Sequence, residues 1–148
     1  MDRNKPCSHY PEIQDLGASP LVVNIDRFAK INDNFRTALW TGEHLQVTLM
    51  SIPVHGDIGL ERHCELDQFI RIESGHALVM MGKCEHQLGY RKHADCNCAA
   101  IIPAGTWHNI VNIGNTPLKL YSVYAPPNHP FGTVQRTKED AMHEESYR

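Results

Sequence analysis

Apolar residues in this chain come in short runs broken by turn residues, with no long amphipathic stretch of helical period. From Phe35 onward the runs recur roughly every 8–12 residues, a spacing that predicts an all-β sandwich or barrel. Strands are expected near 35–40, 44–52, 58–63, 68–74, 76–81, 86–90, 98–102, 107–112 and 117–124. Gly42, Pro53 with Gly56, Gly75, Gly82, Pro103 with Gly105, and Gly114 with Asn115 mark the turns between them. In "RIESGHALVM", Ser74-Gly75 predicts a tight hairpin, because glycine supplies the positive φ that such a turn demands.

The flanks differ from this pattern. Residues 1–20 hold three prolines and no periodicity, and read as an arm that lies over the domain or is partly disordered. "SPLVVNIDRFAK" carries a short apolar run and about one turn of helix, and its "LVVNI" offers an edge strand to lend or cover. Beyond Tyr124 a proline-rich exit leads to Thr137, an N-cap candidate followed by acidic residues, which predicts a short terminal helix. The expected division is an arm over 1–34, a barrel over 35–125 and a tail with a short helix over 126–148. No repeat of solenoid period is present.

Composition narrows the classes. A chain of 148 residues, 41% hydrophobic and 21% charged, is about one domain long, and no apolar run approaches the ~18 residues of a membrane helix. The expectation is a protein without membrane association. The polar N-terminus lacks the apolar core of an export signal, and five cysteines at irregular spacing suit reduced thiols, so a cytoplasmic location is expected. The formal net charge is −3 with scattered lysines and arginines, which argues against nucleic acid as partner.

The chemistry concentrates around "IPAGTWHNIVN". Alternation on a strand puts His108, Ile110 and Asn112 on one face, with Trp107, Asn109 and Val111 on the other. A polar face inside a barrel needs partners, and "GLERHCELDQFIRIESG" supplies them. Glu61 and His63 are two apart and project together, and Gln68 opens a strand whose Ile70 and Ile72 point with it. One carboxylate, two imidazoles and one amide oxygen then converge from three strands. Other groups read more simply. His86, His93, Cys96 and Cys98 fit no common zinc spacing and read as a solvated loop. Arg62 and Arg71 fall on the opposite face, in surface salt bridges, while Trp40, Met50, Tyr121 and Tyr124 read as core with pocket lining as the alternative. Asn112 satisfies backbone groups inside the barrel or hydrogen-bonds a ligand.

These two blocks resemble the two motifs of the cupin family. Pro103, Gly105, His108 and Asn112 match every fixed position of the second motif, while His63, Gln68 and Gly75 keep the spacing of the first. The resemblance covers about residues 35–125, and the flanks look like small bacterial single-domain cupins often labelled mannose-6-phosphate-isomerase-like. It implies a cupin double-stranded β-helix, a jelly-roll barrel, with a divalent metal ion near its mouth. Carried over by position, the ligands are Glu61, His63, Gln68 and His108.

Three positions depart from the family pattern: Glu61 stands for its first histidine, Gln68 for its glutamate, and Asn97 for a glycine, a place that asparagine's tolerance of left-handed backbone suits. The ligand set keeps one carboxylate, giving about +1 with a divalent ion, but trades an imidazole for an amide oxygen. That disfavours zinc, nickel and copper relative to iron or manganese, and two histidines with a carboxylate resemble the facial triad of non-haem iron oxygenases. The identity among iron, manganese, zinc and nickel stays open, as does the choice between Gln68 and its neighbour Asp67, the stronger ligand by charge. Glu61 is also the candidate general base if it stays unligated.

The function expected is a metal-binding cupin enzyme acting on a small polar metabolite as its small-molecule substrate, by oxygenase-type or sugar or keto-acid isomerase-type chemistry. A non-catalytic sugar- or acid-binding cupin is the alternative. Small cupins commonly pair their barrels, so a homodimer is expected.

Overall fold

In a computed structural model, the structure describes residues 13–146. The elements are α1 (Ile25–Ile31), β1 (Arg36–Thr41), β2 (Gln46–Ile52), β3 (Asp67–Ser74), β4 (Ala77–Gly82), β5 (Tyr90–Ala94), β6 (Ala99–Ile102), β7 (Trp107–Asn112), β8 (Leu118–Ala125), β9 (Val134–Gln135) and α2 (Lys138–Glu145). They form a six-stranded antiparallel sheet in the order β6-β3-β8-β2-β1-β9 and a three-stranded one in the order β5-β4-β7. Met50, Ile70, Ile72, Leu118 and Leu120 of the larger sheet pack with Val79 and Ile110 of the smaller in one buried cluster. Each such side chain contributes about 1.5–3 kcal/mol on leaving water. This is the double-stranded β-helix that the second motif implied.

Four expectations are corrected. Ser74-Gly75 is a corner rather than a hairpin: β3 pairs with β6 and β8, and β4 with β5 and β7. Gly75 has φ +100°, and a Cβ there would lie 3.2 Å from the Leu118 Cα, so the chain changes sheet where only glycine fits. Residues 58–63 form no continuous strand. Residues 57–61 touch β7 through separate bridges, Asp57 with Val111 and Glu61 with His108, because Gly59 at φ +95° interrupts the extended run.

The strand expected at 86–90 lies at Tyr90–Ala94 instead. A turn closed by the Gln87 amide on the Cys84 carbonyl occupies the earlier residues. Nor is "LVVNI" an edge strand: residues 21–24 are irregular, and the Asn24 side chain caps α1 by accepting from the Arg27 amide. Val23, Ile25 and Phe28 pack on Leu39 and Leu49, so this segment covers the outer face of β1 and β2. Residues 1–12 of the expected arm, with Cys7, lie outside the described residues.

At the other end, α2 has the cap that Thr137 predicted, completed by a reciprocal bond from the Thr137 amide to Asp140. Asn97 has φ +73°, the left-handed backbone expected of it.

Candidate metal centre

His108 enters the barrel from β7, and its position is set by the loop before it. Thr106 bonds back to Pro103, the Gly105 amide donates to the His63 carbonyl at 2.8 Å, and the Ala104 amide donates to Asp67 Oδ1 at 2.9 Å. Two further backbone bonds, 3.0 and 2.9 Å, join Glu61 to His108 in both directions. The turn "PAGT" is thereby tied both to the segment that carries Glu61 and His63 and to β3, which carries Gln68.

The side chains of Glu61, His63 and His108 converge, with one ligand atom of each within 4.8 Å of the others. Glu61 Oε2 lies 3.2 Å from His63 Nε2 and 3.8 Å from His108 Nε2. His108 is 0% exposed and places Nδ1 2.9 Å from the Thr106 carbonyl. A carbonyl only accepts, so Nδ1 carries the proton. Burial drives the His108 pKa below the ordinary imidazole value, so the ring is neutral and Nε2 keeps a bare lone pair. That nitrogen is buried and has no hydrogen-bond partner among the described residues.

Glu61 complements it. Burial works against its charge, but the hydrogen bond with His63 and the field of Arg36 outweigh that, and the carboxyl sits below the ordinary glutamate value. The centre offers two imidazoles and one carboxylate.

Gln68 and Asp67 are separated by the strand's alternation. Gln68 is 3% exposed and faces inward with Ile70 and Ile72; Asp67 points outward and holds the Ala104 amide. The Gln68 amide nitrogen donates to Ser122 Oγ at 3.3 Å, which leaves its buried oxygen without a partner. Its cross-strand neighbour is Tyr124, whose ring lies 5.9 Å from that of His63. The Tyr124 phenol is flanked by Thr48 and Ser122, with the His129 ring 5.3 Å away, and burial raises its pKa.

Arg62 stacks on Trp107 at 4.9 Å and Arg71 pairs with Glu73, both away from the centre. Asn112 donates to the carbonyls of Ile52 and Thr116 and so serves the backbone. Trp40 donates to the Ser19 carbonyl, and Tyr121 packs on Phe69. His86, His93, Cys96 and Cys98 form no metal cluster among the described residues.

The residue that sequence reasoning missed is Arg36. It is buried, and its Nη1 donates to Gln135 Oε1 at 2.6 Å while Nη2 lies 3.9 Å from Glu61 Oε1. Gln135 in turn donates to Glu144 of α2 at 2.8 Å. A cavity of about 300 Å³ lies here, lined by Arg36, Glu61, Phe35 and Ile58 from the barrel and by Lys138 and Met142 from α2.

The cupin domain matches residues 48–124, more than half of the chain. This chain belongs to the cupin family. It is 57% identical to BH2720 of Bacillus halodurans, whose crystal structure superposes with a TM-score of 0.88 over 88% of this cupin and 99% of that chain. It is also 58% identical over 130 residues to the uncharacterized protein YrkC of Bacillus subtilis, covering 88% of this cupin and 70% of the relative. The uncharacterized protein L612 of Acanthamoeba polyphaga mimivirus is 40% identical over 114 residues, 76% of this cupin and 69% of that protein.

Proposed function

We propose that this cupin is a metal-dependent enzyme acting on a small polar metabolite, with a divalent ion held by Glu61, His63 and His108 and by the Gln68 amide oxygen as fourth ligand. The observation that carries the reading is His108: its Nδ1 proton is engaged by a backbone carbonyl, so its buried, unpartnered Nε2 is a lone pair aimed at a carboxylate. Leaving a buried acceptor unsatisfied costs about 1–3 kcal/mol, and coordination removes that cost. Engagement of the second ring nitrogen is the usual way a ligating histidine is oriented.

The Gln68 oxygen is the second buried acceptor without a partner, and it stands on the inward face where Asp67 does not. Two imidazoles, one carboxylate and one amide oxygen suit iron or manganese better than the softer ions. When bound, the ion supplies a Lewis-acid centre, or with iron an oxygen-activating one. The chain's residues do the rest. His108 presents a bare ring nitrogen, His63 a second imidazole beside it, Glu61 supplies the compensating charge, and Tyr124 with the apolar barrel wall excludes bulk water. The isomerase label of small cupins draws no support from the relatives named above, and the choice between oxygenase and isomerase chemistry rests on which metal is native.

The test is metal analysis of protein purified without a polyhistidine tag, with iron measured anaerobically, followed by turnover of a panel of sugars and of hydroxy and keto acids. Divalent metal at up to one ion per chain with metal-dependent turnover is expected. Protein that neither carries nor takes up metal would overturn the reading.

The dimer belongs to the same proposal. β5 and β6 are sheet edges that expose Tyr90 and Ile101, which fits pairing with a second barrel. Light scattering at high concentration that gives a monomer mass would rule it out.

A further inference from the structure

We infer that Arg36 is the anion anchor of the substrate pocket, and that the metabolite presents a carboxylate which binds between this guanidinium and the metal. The inference rests on the metal reading above and deepens it by naming a substrate class.

Arg36 is buried with its guanidinium inside the barrel, and Nε has no hydrogen-bond partner among the described residues. Nη1 is held by a neutral amide, Gln135; Nη2 lies 4.0 Å from the Met50 sulfur and 3.9 Å from the Glu61 carboxylate, and the guanidinium carbon sits 5.3 Å from the centre of the Phe35 ring. Glu61 is thus the counter-charge that keeps a buried cation tolerable. It is also the one carboxylate of the metal centre among the described residues.

Before metal enters, Glu61 and Arg36 cancel. With a divalent ion the same set carries about +2, and the Glu61 charge is shared between the ion and the guanidinium. A buried centre of that charge calls for an anion.

The neighbouring charges do not meet the need. Lys138 is paired with Asp57, and Glu144 is engaged by Gln135. Glu145 lines the cavity from α2 but is exposed to solvent. The space for an anion is the cavity of about 300 Å³ that Arg36 and Glu61 share, at the small end of the range for small-molecule sites.

Its size and the planar fork of a guanidinium favour a carboxylate, which can accept two parallel hydrogen bonds or bridge to the ion. A carboxylic acid with an oxygen on the adjacent carbon presents both oxygens that such a centre takes. Arg36 also has its support built in, since Gln135 and Glu144 connect it to α2 and fix where the guanidinium points.

The experiment is calorimetric titration of manganese-loaded protein with pyruvate, and with hydroxyacetone as the uncharged analogue of similar shape. Manganese affinity is measured separately for each variant. Wild type is expected to bind pyruvate at least tenfold more tightly than hydroxyacetone. Arg36→Gln should retain manganese while losing at least tenfold in pyruvate affinity, with hydroxyacetone unchanged.

Arg36→Lys keeps the charge but not the fork and should lose less. If Arg36→Gln does not fold, Arg36→Lys carries the test, and pyruvate affinity equal to wild type overturns the proposal. Equal pyruvate affinity in folded, metal-loaded Arg36→Gln, or no preference for pyruvate in wild type, overturns it as well while leaving the metal reading intact. Failure of wild type to bind manganese, iron or any other divalent ion overturns both.

Discussion

Glu61 divides its carboxylate: Oε2 faces the imidazoles of His63 and His108, and Oε1 lies 3.9 Å from the guanidinium of Arg36. The same side chain therefore belongs to the candidate metal centre and balances a buried cation. Removing it should do more harm than removing a ligand alone. Glu61→Gln is expected to lose metal and also to destabilise the metal-free protein by about 3 kcal/mol or more, because Arg36 is left without its counter-charge. The check is chemical denaturation of metal-free protein; a variant as stable as wild type would show that Arg36 does not depend on Glu61.

Gln68 gives a prediction of opposite direction for metal and substrate. Gln68→Glu adds a charged ligand and lowers the loaded centre from about +2 to about +1, so a hard divalent ion should bind more tightly and an anionic metabolite less. Asp67→Ala should leave metal binding intact and cost about 1 kcal/mol, through loss of the bond to the Ala104 amide. Calorimetric titration of both variants checks this. Loss of metal in Asp67→Ala with no gain in Gln68→Glu would move the ligand role to Asp67.

The pH dependence of the metal-free protein follows from two downward shifts of the same sign. His108 is held below its reference value of 6.5 by burial. Glu61 is held below 4.5, its burial being outweighed by His63 and Arg36. A group whose folded pKa is depressed lends stability that is complete above its unfolded pKa and lost as pH falls through the folded one. Thermal melts should therefore show stability declining as pH drops below about 6.5, with a second decline below about 4.5. His108→Gln should lack the first step. An unchanged first step in that variant would assign it elsewhere.

The contacts of α2 make a separate claim. Lys138 bonds Asp57 on the barrel, and Gln135 bonds Glu144. Burial opposes the Asp57 charge, but Lys138 and Asn109 outweigh it and its pKa is lowered. The pair is about one third exposed, so Asp57→Asn should cost no more than about 1 kcal/mol globally. Amide exchange in residues 138–145 should nevertheless quicken, since this bond ties the first turn of the helix to the barrel. Exchange as slow as in wild type would mean that packing of Ala141 and Met142 suffices.

How much of this was legible in the sequence depends on what the chain's alternation could report. Where one face of a strand is buried and the other is not, the period of two is visible, and it puts Gln68, Ile70 and Ile72 on the inward face. The second motif likewise located His108. β5 reads Tyr-Arg-Lys-His-Ala with four exposed residues, and a strand that buries almost nothing leaves no hydrophobic signal. β1 fails in the opposite way. α1 and the preceding segment cover its outer face, so Arg36, Thr37, Ala38 and Leu39 are all buried and no alternation separates the inward arginine from its neighbours. Its role depends on Gln135, 99 positions away, which no local pattern encodes.

The central claim is that the buried Nε2 of His108 is a metal ligand. Its most direct test is calorimetric titration of metal-free wild type and His108→Ala with iron under anaerobic conditions and with manganese, with folding of each checked by its melting transition. The account predicts one site per chain in wild type and a loss of about 100-fold or more in a folded His108→Ala, since removal of a ligand should cost at least as much as loss of the groups that orient one. Metal bound as tightly by His108→Ala as by wild type would contradict it.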